Sequence, residues 1–146
     1  MKKPLDKGKV DEFYRVWSAS VYRFSSLFLG NNREAEAATQ QAFLHFFRQV
    51  AAGSADWRPL QLFRDAVQVA RDCCAARGEA RSEGGVGLAA ALLLLRCDER
   101  TVFILHGVLG LSPEEAAFAT ESTTEHTMTL WKQALMHLQW LWVKRT

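Results

Sequence analysis

The chain has 146 residues, 49% of them apolar, with 18 basic and 16 acidic side chains and a formal net charge of +2. That length and composition predict a soluble globular protein of one ordinary domain or two small ones, and the longest apolar run, Val86 to Leu95, is too short to span a bilayer. The basic start, Met1 to Lys9, leads into an amphipathic segment instead of an apolar signal core, so the expected location is the cytoplasm.

Val10, Phe13, Trp17, Val21, Phe24 and Phe28 recur at intervals of three and four, which predicts an amphipathic helix from Val10 to Leu29, ended by Gly30-Asn31-Asn32. The next helix, about Arg33 to Ala51, carries Ala35, Ala38, Ala42, Phe43, Phe46, Phe47 and Val50, with Arg33, Glu34, Glu36, Gln40 and Gln41 on its polar side. Gly53 to Pro59 reads as a loop. Leu60 to Arg77 forms a third helix with Leu62, Phe63, Ala66, Val69, Ala70 and Cys73 on its inner side. Arg58, Arg64, Arg71, Arg77 and Arg81 are opposed by Asp65, Asp72 and Glu79, a net of +2 that fits a surface helix kept soluble by charge, with phosphate contact as the alternative. GEARSEGGVG, from Gly78 to Gly87, has the glycine content of a linker.

Beyond it, Val102, Phe103, Leu105, Val108 and Leu109 lie on a helix that Gly110 closes, since glycine enters the left-handed conformation at little steric cost. Ser112, Pro113 and Glu115 make a capping box, and Ser122 with Glu125 suggests a second one ten residues later. A short helix followed by a longer one is the grammar of a helix-turn-helix, whose second helix lies in the DNA major groove. On that last helix Trp131, Leu135, Leu138 and Trp142 continue an inner stripe, while Met128, Met136, Trp140 and Val143 fall outside it. Met128, Met136 and Trp140 are therefore candidates for a protein interface, where methionine and aromatic residues are enriched. Lys144 and Arg145 complement the helix dipole.

No grouping of His45, His106, His126 or His137 with a serine, cysteine or carboxylate suggests an activated nucleophile or a metal cage. An enzyme is not expected, nor a metal or cofactor. The glutamates read as caps and solvated faces. Cys73, Cys74 and Cys97 are an odd count, which argues against a disulfide framework, and buried thiols are the ordinary expectation.

Both halves resemble bacterial sigma factors of the extracytoplasmic-function (ECF) type. VYRFSSLFLGNNREAEAATQQAFLHFF is similar to their region 2, with Val21, Tyr22, Arg23, Leu29, Gly30, Asn31, Ala35, Glu36, Gln40, Phe43 and Leu44 in agreement. Leu95, Arg100, Val102, Phe103, Leu105, Gly110, Leu111, Ser112, Glu115, Ala117, Ala134 and Leu138 fall in register with region 4. The resemblance implies an all-α fold of two small modules: a region 2-like bundle over 1–80, a linker over 81–90 and a region 4-like helix-turn-helix module over 91–146. It implies docking on the β′ clamp helices of core RNA polymerase, with Glu34, Glu36, Gln40 and Gln41 as the contact residues. It also implies promoter DNA contact, for which Arg64, Arg71, Arg77, Thr124, His126 and Lys132 are the candidates.

The charges of the last helix pull the other way. From Thr123 to Gln139 the only formal charges are Glu125 and Lys132, and residues 90–146 carry five basic and six acidic side chains, a net of −1. Phosphate-gripping helices are basic. Glu121 also stands where the family has a turn glycine, at a cost of about 1 kcal/mol if the position stays left-handed. Two functions follow: an ECF sigma-like transcription protein that docks on RNA polymerase and contributes to promoter recognition, or a sigma-like scaffold acting through protein partners, as an accessory sigma subunit, an anti-sigma decoy or an adaptor.

Overall fold

The computed structural model describes residues 5–77 and 87–145, the side chains of 77 and 141–145 excepted. Asp6 starts the first helix, α1 (Lys7–Leu29), by accepting the Gly8 N–H at 2.9 Å. Gly30 ends it with φ 71°, its N–H closing on the Ser26 carbonyl. A Cβ at Gly30 would stand 2.5 Å from the Leu93 side chain, so the turn needs glycine for its backbone and for the close approach of the second half of the chain. Asn31 caps α2 (Asn32–Ala51), accepting the Glu34 N–H at 3.0 Å. Pro59 opens α3 (Pro59–Arg77), where its missing N–H needs no partner.

These three helices pack through the stripes expected of them, with shifts of detail. Val21, Phe24 and Phe28 of α1 are sealed, while Phe13 and Trp17 are partly buried against the same core. Ala35, Ala38, Ala42, Phe43 and Phe46 form the buried face of α2, and alanines allow the backbones to approach closely. Phe13 stacks on Phe46 at 5.0 Å and meets Trp57 edge-on at 5.5 Å. On α3 the buried residues are Leu62, Phe63, Ala66, Val67, Ala70 and Cys74. Val69 and Cys73, expected inside, are only half-buried, because the stripe is centred about one residue further round the 3.6-residue turn.

The second half holds α4 (Leu88–Leu92), α5 (Cys97–Val102), a π-helical continuation of α5 from Phe103 to Val108, α6 (Pro113–Ala119) and α7 (Thr124–Arg145). α4 lies across the expected 90/91 boundary, and residues 78–86 of the expected linker, with Arg81, lie outside the described residues. The wider π turn is marked by the Leu109 N–H donating to the Ile104 carbonyl at 2.9 Å. Gly110 is left-handed as expected, φ 77°. Ser112 and Glu115 form the expected capping box, at 3.1 and 2.8 Å.

The second expected box does not form. Ser122 is consumed in closing α6: its N–H donates to the Ala117 carbonyl at 2.9 Å, the Glu121 N–H donates to Phe118, and Glu121 sits left-handed at φ 55°. Thr123 becomes the cap of α7 instead, its hydroxyl accepting the His126 N–H at 3.1 Å. Glu125 is then one residue too early to reach back. On α7 the inner positions are Thr127, Leu130, Ala134 and, partly, Trp131 and Leu138. Leu135, expected inside, is 43% exposed, because Ala134 takes the inward place. Trp131 stacks on Phe103 at 5.4 Å and stands edge-on to His106 at 4.7 Å. Trp142 and Val143 lie outside the described side chains.

The two halves share one core. Phe24, Phe28 and Leu62 belong to the same buried cluster as Leu92, Ile104, Leu105 and Ala134, and α3 lies against α6. Arg100 fastens the junction. It is 6% exposed, and its guanidinium donates to the carbonyls of Phe28 (2.8 Å), Leu92 (2.9 Å), Leu95 (2.9 Å) and Leu93 (3.2 Å), over the Phe28 ring at 4.9 Å. One side chain thus caps carbonyls at the C-terminal ends of both α1 and α4, of which Leu92 also accepts the Leu95 N–H at 3.1 Å.

Candidate protein-binding surface

The helix-turn-helix is α6, the Glu121 turn and α7. Of the residues expected to meet DNA, Lys132 and His126 are exposed on α7 and Thr124 is half-buried, and Glu125 adds the opposite charge near the N-terminus. The arginines of α3 turn toward this module. Arg64 pairs with Glu121 and lies 5.8 Å from the centre of the Phe118 ring. Arg71 lines a hollow with Asp98, Ser122, Thr123 and His126. Arg64, Arg71 and His126 therefore converge on the α6–α7 turn, while Lys132 sits two turns further along α7, and the Arg77 side chain lies outside the described residues. A guanidinium held by a carboxylate has less to give a phosphate.

The same seam holds a small polar cleft of about 140 Å³ between α2, α3 and the turn, lined by His45, Gln49, Gln61, Arg64, Asp65 and Glu121 among others. Asp65 is 5% exposed. Its Oδ1 is 3.8 Å from His45 Nε2 and its Oδ2 has no hydrogen-bond partner. Burial pushes its carboxyl above the usual range, with His45, Gln61 and Arg64 holding the rise back.

Nearer the start of α3 lies a larger groove of about 630 Å³. Trp17, Leu60 and Phe63 from the first half face Leu109, Leu111 and Phe118 from the second, with Arg58 on one rim and Glu114 and Glu115 on the other. Phe118 is 40% exposed. Apolar walls, a polar rim and an open length suit the apolar face of an amphipathic helix. A second apolar surface runs along α7, where Met136 is 68% and Trp140 57% exposed, with Leu135 beside them and Met128 half-buried. A third face is polar: Glu36, Gln40 and Gln41 are exposed on α2 and Glu34 is half-buried.

Three long-range polar contacts are not legible in the chain. Arg100 is one. Glu99, read as a surface or cap residue, is instead 1% exposed, with His137 Nδ1 at 2.8 and 3.1 Å from its two oxygens. The third brings Cys74 Sγ within 3.6 Å of Cys97 Sγ. No spacing rule reports such long-range meetings; only the register of Arg100 with the family pointed to any of them.

No family model matches the chain, and no curated protein matches it in sequence. Solved structures do match. CnrH, solved in complex with the cytosolic domain of CnrY, is similar over 97% of this chain and 92% of its own, with a TM-score of 0.79 at 17% identity. The structure of the PhyRSL–NepR complex from Sphingomonas sp. Fr1 is similar over 88% of this chain and 85% of its own, with a TM-score of 0.64 at 23% identity. The fold is the all-α one that the sequence motifs predict, and both neighbours share it over most of the chain.

Proposed function

We propose that this is a sigma-like protein of bacterial transcription whose principal contacts are with proteins: a helical partner of the anti-sigma kind in the groove between its modules, and core RNA polymerase at the polar face of α2. The apolar groove carries this reading. Its walls come from both halves of the chain, so a helix lying in it would hold the halves in their packed arrangement and report on them together. Both structural neighbours were solved in complexes, CnrH with CnrY and PhyRSL with NepR, which supports a protein partner here too. The absence of net charge on α7 up to Gln139 and the engagement of Arg64 by Glu121 weigh against unaided promoter binding. In this reading promoter contact is a contribution made on the polymerase, and Met136 and Trp140 extend the protein-binding surface.

A photo-crosslinking amino acid placed at Phe118, Gln40 or Trp140 of the full chain in bacterial cells tests this. The reading expects Gln40 to capture the β′ subunit of RNA polymerase and Phe118 a small helical protein, with Trp140→Ala weakening that second complex. Promoter-specific transcription by the protein with core polymerase alone, lost on Lys132→Ala or His126→Ala, would overturn it in favour of a self-sufficient promoter-reading sigma factor.

A further inference from the structure

Cys74 comes from α3 and Cys97 is the first residue of α5, so their contact joins the two halves of the chain. Their sulfurs are 3.6 Å apart, and a disulfide needs about 2.05 Å. The gap is small enough for side-chain rotation and a slight backbone adjustment to close. Cys97 is exposed while Cys74 is 7% exposed, giving one thiol that an oxidant can reach and a second held behind it. Cys73, adjacent to Cys74 and half-buried, points about 100° away around the helix.

We infer that Cys74 and Cys97 form a reversible intramolecular disulfide, written by hydroperoxides, that locks the two modules together. Burial and the neighbouring Cys74 push the Cys97 thiol up, so the thiolate is its minor form; that thiolate attacks a peroxide oxygen and the O–O bond breaks, leaving a sulfenic acid and releasing an alcohol, or water from hydrogen peroxide. The Cys74 sulfur then attacks the Cys97 sulfur, the S–S bond forms, the S–O bond breaks and the oxygen leaves as water. Two thiols are oxidised by two electrons and one hydroperoxide is reduced. A dithiol reductant reverses the link by exchange. The bond would cross the same seam as the Arg100 staple and the apolar groove, so oxidation would reduce relative movement of the groove walls. The chemistry itself stands on the sulfur geometry and does not depend on the proposed function.

The test is hydrogen peroxide treatment of the full-length protein, followed by intact mass and peptide mapping without reductant. The expected product is a monomer lighter by two hydrogens, with a Cys74–Cys97 peptide link, an apparent melting temperature raised by several degrees, and full reversal by dithiothreitol. Cys73→Ser should behave identically. Cys74→Ser and Cys97→Ser should form no internal link. A Cys73–Cys97 link, a predominance of intermolecular dimers, or sulfinic acid at Cys97 with no link in the Cys73→Ser protein would overturn the inference.

Discussion

Arg100 is the side chain on which the joining of the two modules depends most. Its guanidinium is 6% exposed and answers four carbonyls, those of Phe28, Leu92, Leu93 and Leu95, at 2.8 to 3.2 Å. Arg100→Met keeps much of the volume and removes the cost of burying a cation, but strands the Phe28, Leu93 and Leu95 carbonyls, while Leu92 keeps the Leu95 N–H at 3.1 Å. A buried acceptor left unpaired costs about 1–3 kcal/mol, so three would set an upper bound near 9 kcal/mol. Relief of the arginine's own desolvation, several kcal/mol, offsets part of this. The expected net loss is about 3–5 kcal/mol, a large share of the roughly 5–15 kcal/mol that typical domains possess. Urea titration followed by tryptophan fluorescence and circular dichroism reads it. The midpoint should fall steeply and the two signals should separate as the halves come apart. Arg100→Lys, which offers fewer donors in less favourable geometry, should fall between. A Met variant within 1 kcal/mol of the parent would refute the claim that carbonyl satisfaction, and not mere filling of space, joins the halves.

Three further outcomes follow from individual sites. Glu121 is left-handed at φ 55°, so Glu121→Gly should be more stable than Glu121→Gln by about 1 kcal/mol in chemical unfolding; both lose the exposed pairing with Arg64, and equality would mean that no backbone strain is relieved. The Asp65 carboxyl is raised from its ordinary value of 3.8 by burial. Its contribution to stability is therefore complete below 3.8 and is lost as pH rises through the higher folded-state value. The stability of Asp65→Asn relative to the parent should rise across that window and then level off, and a relative stability that falls with pH would contradict this. His137→Ala removes the imidazole facing the buried Glu99 carboxylate and should cost about 1–3 kcal/mol, with Glu99→Gln, His137→Ala recovering part of the loss.

Sequence periodicity served best where burial is continuous along a helix. The stripes of α1 and α2 appear as read, because a whole face is buried and each residue reinforces its neighbours three and four positions away. α7 was harder. Its buried face includes Thr127 and Ala134 while Leu135, Met136 and Trp140 point outward, so apolar character there does not report the inside. α7 starts one residue later than the spacing predicts because Ser122 can either cap a following helix or close a preceding one, and the left-handed Glu121 decides for the second.

Local structure follows from the chain alone: the ends of α1 at Gly30 and of the π-helical segment at Gly110, the Ser112–Glu115 cap, and the balance of one acidic and one basic side chain between Thr123 and Gln139. These depend on residues within one or two turns of each other. Tertiary structure alone decided that the modules pack on a common core, that Arg100 reaches Phe28 from 72 residues away, that Glu99 and Asp65 are buried, and that Cys74 meets Cys97. Such contacts arise from how helix faces dock, and docking is a sum over many weak apolar contacts that no single spacing encodes.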